Sequence, residues 1–269
     1  MRKYFLGTVM LIGLGGMAIA ADLPVKAPAP PPVIPFDWSG AYGGSSLDWV
    51  QSRTSWQYTN PGPATLQPFT NKQNQAGWGF HAGVQQQWGQ LVIGIEGDYT
   101  LLNASFVGTA SNGTATSVCT ANLGQSCQTN LDYLAMAGGK VGWAWTDWLF
   151  YGEGGWAGGS INTRLQNPNS SFFDTSNNNN YRNGWYAGGG IDYAIFKSAA
   201  MDVIVGADYR HVDLGNHFQA SSADGIGGFG PAPPGANGRN IGATIDMVRV
   251  SLSVKTNGWG FVAPVAAKY

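Results

Sequence analysis

From Leu91 to Leu101 the chain alternates with a period of two. Leu91, Ile93, Ile95, Tyr99 and Leu101 fall on one face, and Glu96, Asp98 and Thr100 on the other. A β-strand sends successive side chains to opposite faces of its sheet, so the pattern predicts a strand with one apolar and one polar face. Eight such segments can be marked from Trp38 onward, separated by turn residues and often ending in tryptophan or tyrosine. The first runs over about Trp38 to Val50, where Gly43-Gly44 obscures the parity and predicts a bulge or a close approach. The second, about Gly77 to Trp88, sets Trp78, Phe80, Ala82 and Val84 against His81 and Gln85. After the third, Leu91 to Leu102, the fourth spans about Asn130 to Trp145, with Leu131, Tyr133, Ala135, Val141 and Trp143 opposite Asp132 and Lys140.

The remaining four follow the same rule. About Trp148 to Ile161, Trp148, Phe150 and Trp156 oppose Tyr151 and Glu153; about Gly184 to Ala194, Trp185, Ile191 and Tyr193 oppose Tyr186 and Asp192. About Met201 to Asp213, Met201, Val203, Val205 and Tyr209 oppose Asp202, Asp208 and Arg210. Finally, about Ile241 to Lys255, Val248, Val250, Leu252 and Val254 oppose Arg249, Ser251, Ser253 and Lys255. The connections alternate in length: short at Trp88-Gly89-Gln90, Trp145-Thr146-Asp147-Trp148 and Ile195-Phe196-Lys197-Ser198, and long over about 51–76, 103–129, 162–183 and 214–240. Short periplasmic turns and long external loops, with tilted spans of about 9–11 residues, are the pattern of a transmembrane barrel. The predicted fold is therefore all-β, an eight-stranded antiparallel up-and-down transmembrane β-barrel. Trp88, Trp145 and Trp148 at the short turns are the expected interfacial aromatics.

The chain's beginning fixes the compartment. Arg2 and Lys3, the apolar run Phe5 to Met17 and the small-x-small site Ala18-Ile19-Ala20 read as a secretory signal peptide over 1–20. Residues 21–37 are proline-rich and predict an extended periplasmic tether, leaving 38–269 as the barrel with four external loops and a short tail. Export without a later helical span points to the outer membrane of a Gram-negative bacterium. Charged residues make up 11 % of the chain and the formal net charge is −1, so no basic surface argues for nucleic acid. The 40 glycines and 13 % aromatic residues suit a β-protein.

Ten charges fall on the inward parity: Glu96, Asp98, Asp132, Lys140, Glu153, Asp192, Asp202, Asp208, Arg210 and Arg249. Eight strands enclose a space just wide enough for side chains to fill, so a plugged core of paired acids and bases is expected. The alternative for the same residues is a small cation-preferring diffusion channel. Inward glycines such as Gly138, Gly188, Gly190 and Gly206 would either admit large neighbours or leave water-filled gaps. Cys119 and Cys127 share one polar segment and predict a structural disulfide in an oxidising compartment, because metal ligands are lacking beside them.

Catalysis finds little support. Of the three imidazoles, His81 points inward, His211 takes the lipid-side parity near the outer end of its strand, and His217 falls in a loop. A triad of His211, Asp213 and a loop serine is conceivable as a lipid-A-modifying centre, yet no spacing singles it out. Gly152-Glu-Gly-Gly-Trp-Ala-Gly-Gly159 lacks the lysine and following helix of a phosphate loop. No catalytic, metal or cofactor site is expected.

Ala21-Asp22-Leu-Pro-Val-Lys26, the proline run, Phe36-Asp-Trp-Ser-Gly-Ala-Tyr-Gly43 and the ending Met247-Val-Arg-Val-Ser-Leu-Ser-Val-Lys255 with Ala-Lys-Tyr269 together resemble the small outer-membrane immunogenic proteins of alphaproteobacteria. That porin-like family carries an eight-stranded barrel related in shape to the membrane domain of OmpA. The resemblance implies an abundant, surface-exposed envelope protein with a structural and antigenic role. Its partners would be outer-membrane lipid and lipopolysaccharide, the barrel-assembly machinery, and host or envelope molecules met by the loops. The family commonly places an aromatic after the position of Lys255, where this chain has Thr256, which leaves Phe261 or Tyr269 as the assembly signal.

Overall fold

In a computed structural model of the chain, residues 36–58, 69–108, 126–166, 173–175, 181–220 and 238–257 are described. They form β1 (Gly40–Tyr58), β2 (Phe69–Trp88), β3 (Leu91–Gly108), β4 (Ser126–Trp145), β5 (Trp148–Gln166), β6 (Phe173–Thr175), β7 (Tyr181–Lys197), β8 (Met201–Ala220) and β9 (Gly238–Thr256). All the long strands are antiparallel to their neighbours, in the order β4-β3-β2-β1-β9-β8-β7-β5, and a further pairing of β4 with β5 closes the ring. The short β6 pairs with Arg164–Gln166 at the outer end of β5. Closure satisfies the ladder hydrogen bonds within the sheet, which hydrocarbon demands of any backbone that crosses it. The two tightest turns place a residue of positive φ first, Gly89 and Thr146.

The outward face carries an apolar belt between two rings of aromatics. Trp88, Trp145 and Trp148 lie at the short turns, facing outward. The second ring, not anticipated as such from sequence, consists of Trp49, Trp78, Trp156, Trp185 and Tyr209, all exposed. Between the rings the outward side chains are Leu47, Ile93, Ile95, Val141, Ile191, Val205 and their neighbours on the same parity. The membrane-spanning segment of each strand thus ends near the second ring: at Trp49 in β1, Trp78 in β2, Tyr209 in β8 and Val248 in β9.

Every long strand continues past that ring. Much of what reads in sequence as the loops 51–76, 103–129, 162–183 and 214–240 is strand. The reason is an inversion of polarity. In β9, Val248 to Val254 face out with Arg249 and Lys255 inside, whereas Ile241, Ala243, Ile245 and Met247 face in and Asp246 faces out. In β1, Leu47 and Trp49 face out, but beyond them Val50 and Trp56 face in and Gln51, Arg53, Ser55 and Gln57 face out.

Other departures are local. The glycine pair in β1 marks no bulge, since register runs unbroken against β2 and β9; a Cβ on Gly44 would strike Leu252 O and Ser253 Cα. Trp38 does not open the first strand. It turns into the lumen with Phe36, fully buried, its backbone N–H donating to Gln87 Oε1 at 2.7 Å and its backbone carbonyl accepting from Gln85 Nε2 at 2.8 Å. His217 lies in β8, paired with Ile241, and not in a loop. Residues 1–35, Cys119, Phe261 and Tyr269 lie outside the described residues, and with them the signal peptide, most of the tether, the disulfide and the assembly signal.

Candidate functional site

The lumen is filled in three layers. At the periplasmic end Phe36, Trp38, Val92, Ala144, Leu149 and Ile204 form an apolar cluster, with Phe36 edge-on to Trp38 at 4.8 Å between ring centres. Toward the outside, Val50, Leu134, Met136, Val212, Ile245, Met247 and others form a second apolar cluster. A layer of charges lies between them.

Arg210 is the hub of that layer. Its Nη2 lies 2.8 Å from Glu96 Oε1 and 3.0 Å from Glu153 Oε2. Its Nε lies 2.7 Å from Glu153 Oε1 and 3.1 Å from Asp208 Oδ2, and its Nη1 donates to Asp98. Arg249 shares three of those acids: Nη2 is 3.0 Å from Glu96 Oε1, Nε is 2.7 Å from Asp208 Oδ1, and Nη1 is 3.7 Å from Asp98 Oδ2. Lys140 Nζ completes the lattice, 3.3 Å from Glu96 and 3.4 Å from Asp192, with the Tyr151 ring face 3.9 Å away. Charges in a low-dielectric interior are tolerated when paired and hydrogen-bonded, and here each arginine is shared among carboxylates, Arg210 gripping Glu153 in a two-bond fork.

Sheet register explains how these groups meet. Gly188 lies between Glu153 on β5 and Arg210 on β8, so the two large side chains close over a position that has none. Gly190 does the same between Tyr151 and Asp208, and Gly83 between Tyr42 and Glu96, where Tyr42 OH donates to Glu96 Oε2 at 2.8 Å. A Cβ on Gly83 would fall 2.6 Å from the Tyr42 ring. The inward glycines therefore admit large neighbours. The residual cavity beside Lys140, His81 and Tyr42 has a volume of about 10 Å³, room for one water molecule.

Nine of the ten charges expected inside are there: Glu96, Asp98, Lys140, Glu153, Asp192, Asp202, Asp208, Arg210 and Arg249. Asp202 belongs to a lower pair, 3.1 Å from Lys255 Nζ. Asp132 is the exception. Register shifts between Leu131 and Tyr133, so Leu131 turns inward and Asp132 faces out, accepting from Asn162 Nδ2 at 2.6 Å and Ser160 Oγ at 3.3 Å. A bulge adds one residue and resets the parity beyond it, which a strict period of two cannot anticipate. Lys255, on the inward parity of its strand though not among the ten charges, is buried as that parity expects, and Tyr42 and Asp48 line the interior without having been anticipated. For Tyr42 and Asp48 the signal was parity with Ser46 opposite Leu47 and Trp49, hidden by the glycine pair.

His81 Nε2 is buried against Ser253 Oγ at 2.7 Å. His211 does face outward, but its acid is Asp246 on β9, Nδ1 to Oδ1 2.7 Å, and not Asp213. Tyr209 OH donates to the same Asp246 oxygen at 2.7 Å. These two donors hold the Asp246 carboxyl below the ordinary carboxylate range. Among the described residues no hydroxyl bonds the other His211 nitrogen as a nucleophile would. In the outer lumen Arg182 is buried, with Nη1 donating to Ile241 O at 2.8 Å, and burial pushes its guanidinium down to about 10.

No family model matches the chain. It is 24 % identical over 221 residues to the 31 kDa outer-membrane immunogenic protein of Brucella melitensis, spanning 77 % of this chain and 87 % of that protein. The namesake of Brucella suis matches to the same extent. Among solved structures, the attachment invasion locus protein Ail of Yersinia pestis aligns over 79 % of this chain and 99 % of its own with 11 % identity and a TM-score of 0.35. The outer membrane protease OmpT of Escherichia coli aligns over 81 % and 97 %, with 11 % identity and a TM-score of 0.47. The chain is an integral outer-membrane β-barrel.

Proposed function

We propose that this protein is a sealed, non-catalytic barrel whose role is structural and surface-displaying: it ties the envelope's outer face to a rigid ring and presents its long outer connections to the exterior. The layered lumen carries this reading. An ion that entered would have to displace an apolar cluster, break a lattice in which each arginine is shared among carboxylates, and then displace a second apolar cluster. A permeant ion also loses hydration in apolar constrictions, which raises the barrier steeply. The name of the Brucella relatives, outer-membrane immunogenic protein, agrees with a surface-displayed chain. The deciding experiment is single-channel recording of refolded protein in a planar bilayer, with heat-modifiable gel mobility reporting the folded fraction. Silence from folded barrels is the expected result. Reproducible conductance steps would overturn the sealed reading and make a diffusion channel primary.

A further inference from the structure

We infer that the outward face of β1 and β2, just above the second aromatic ring, holds a phosphate group of an outer-leaflet glycolipid. Arg53 and Lys72 are direct cross-strand partners on this face, and both are exposed. Like charges directly opposite each other on a sheet repel, with Cβ atoms about 4.5–5.5 Å apart, so the pair is disfavoured unless an anion lies across it. One phosphate presents oxygens to both cations at that separation. Below them, Gln51 Nε2 donates to Asn74 Oδ1 at 3.0 Å, which leaves the Asn74 amide as a further donor toward the same level.

Height selects the ligand. Trp49 and Trp78, the next aromatic residues down the same two strands, are exposed at 59 % and 49 % and mark where hydrocarbon gives way to headgroups. The cations therefore stand where the phosphorylated sugars of the outer leaflet lie. Among the described side chains, no other lysine or arginine faces outward above the ring; Asp132, Asn183 and Asp213 occupy that level elsewhere. Asp246 is the acid nearest the patch across β9. Arg53 lies close enough to favour its charged form, but the carboxylate is engaged by His211 and Tyr209 and forms no ion pair with Arg53 among the described residues. The patch keeps its positive charge, and the inference rests on the outer-membrane placement alone, so a conducting barrel would leave it intact.

The test uses the full mature chain, refolded in detergent and incubated with bisphosphorylated lipid A or its dephosphorylated form, then repurified in a metal chelator and weighed by native mass spectrometry. One bisphosphorylated lipid A retained per barrel, with at least tenfold less of the dephosphorylated form, is expected. Arg53→Gln/Lys72→Gln should lower retention at least tenfold, and Arg53→Lys/Lys72→Arg should keep most of it, each checked for folded gel mobility. Equal retention of both lipids by the wild type overturns the inference without any variant. So does undiminished binding by folded Arg53→Gln/Lys72→Gln, and so does loss of all lipid in chelator, which would place it on a divalent-cation bridge to acids.

Discussion

Within the membrane the ring is apolar outside and charged inside; beyond the second aromatic ring the same strands are polar outside and mostly apolar inside. In β9 the exchange occurs between adjacent residues, Met247 facing in and Val248 facing out. The inner half is built by its solvent, since lipid takes the large apolar side chains and the lumen is left to groups that must satisfy one another. The outer half is built like a water-soluble barrel, with Val212, Ile245 and Leu131 as its core and Arg182 as the buried cation among the described residues. Removing a partner therefore carries different consequences in the two halves, because an unpaired charge has no counterpart in an apolar cluster.

The largest effect is expected at the hub. Arg210→Met leaves Glu96, Asp98, Glu153 and Asp208 short of a shared partner, and loss of one side of a buried ion lattice costs on the order of 3–5 kcal/mol. Ile245→Ala in the outer half removes apolar packing alone, at about 2–4 kcal/mol. Urea unfolding of both variants in the same detergent, followed by tryptophan fluorescence, should rank them in that order; a milder effect at Arg210 would mean that the acids shed their charge by taking up protons. Next comes the outward face. Val250→Lys, at mid-belt, should destabilise by about 2–4 kcal/mol in a lipid bilayer, while Ser55→Lys on the outer half should stay within about 0.5 kcal/mol. Equal penalties would erase the boundary drawn at Trp49.

The smallest effect concerns Asp246. Its carboxyl is held low in the folded protein, so its contribution is present above the ordinary carboxylate value of about 4 and fades as pH falls through the lowered one. Because the group is partly exposed and solvent screens it, the contribution is about a few tenths of a kcal/mol at most. The difference in unfolding midpoint between wild type and Asp246→Asn should hold from pH 6 down to about pH 4 and shrink as the pH falls further; a constant difference would assign the effect to packing instead.

How far the sequence could be read follows the same boundary. Inside the membrane, side-chain parity placed Glu96, Arg210 and Arg249 in the lumen and Trp78, Trp156 and Val250 outside, because lipid enforces one phase over a whole span. Above Trp49 the phase of hydrophobicity inverts while the strand continues, so a search for unbroken alternation stops at Val50 and takes the rest as loop. Asp132 was misplaced because a bulge shifts the parity of β4 at Leu131, and no residue type announces it. Trp38 was misplaced because its aromatic ring suits either a membrane interface or a buried plug. Apart from Asp208 and Arg210, two residues apart on β8, the partners in the charged layer are 41 to 153 residues apart in the chain, so parity could name the members but not the pairs.

Those separations bear on biogenesis. Both arginines come from β8 and β9, whereas Glu96, Asp98 and Glu153 come from β3 and β5. A nascent sheet that stops after β5 would carry its acids with Lys140 as their one nearby counter-charge, and a bilayer rejects such a surplus. Neutralising those acids takes the last two strands, so the ion lattice is complete only in a finished ring.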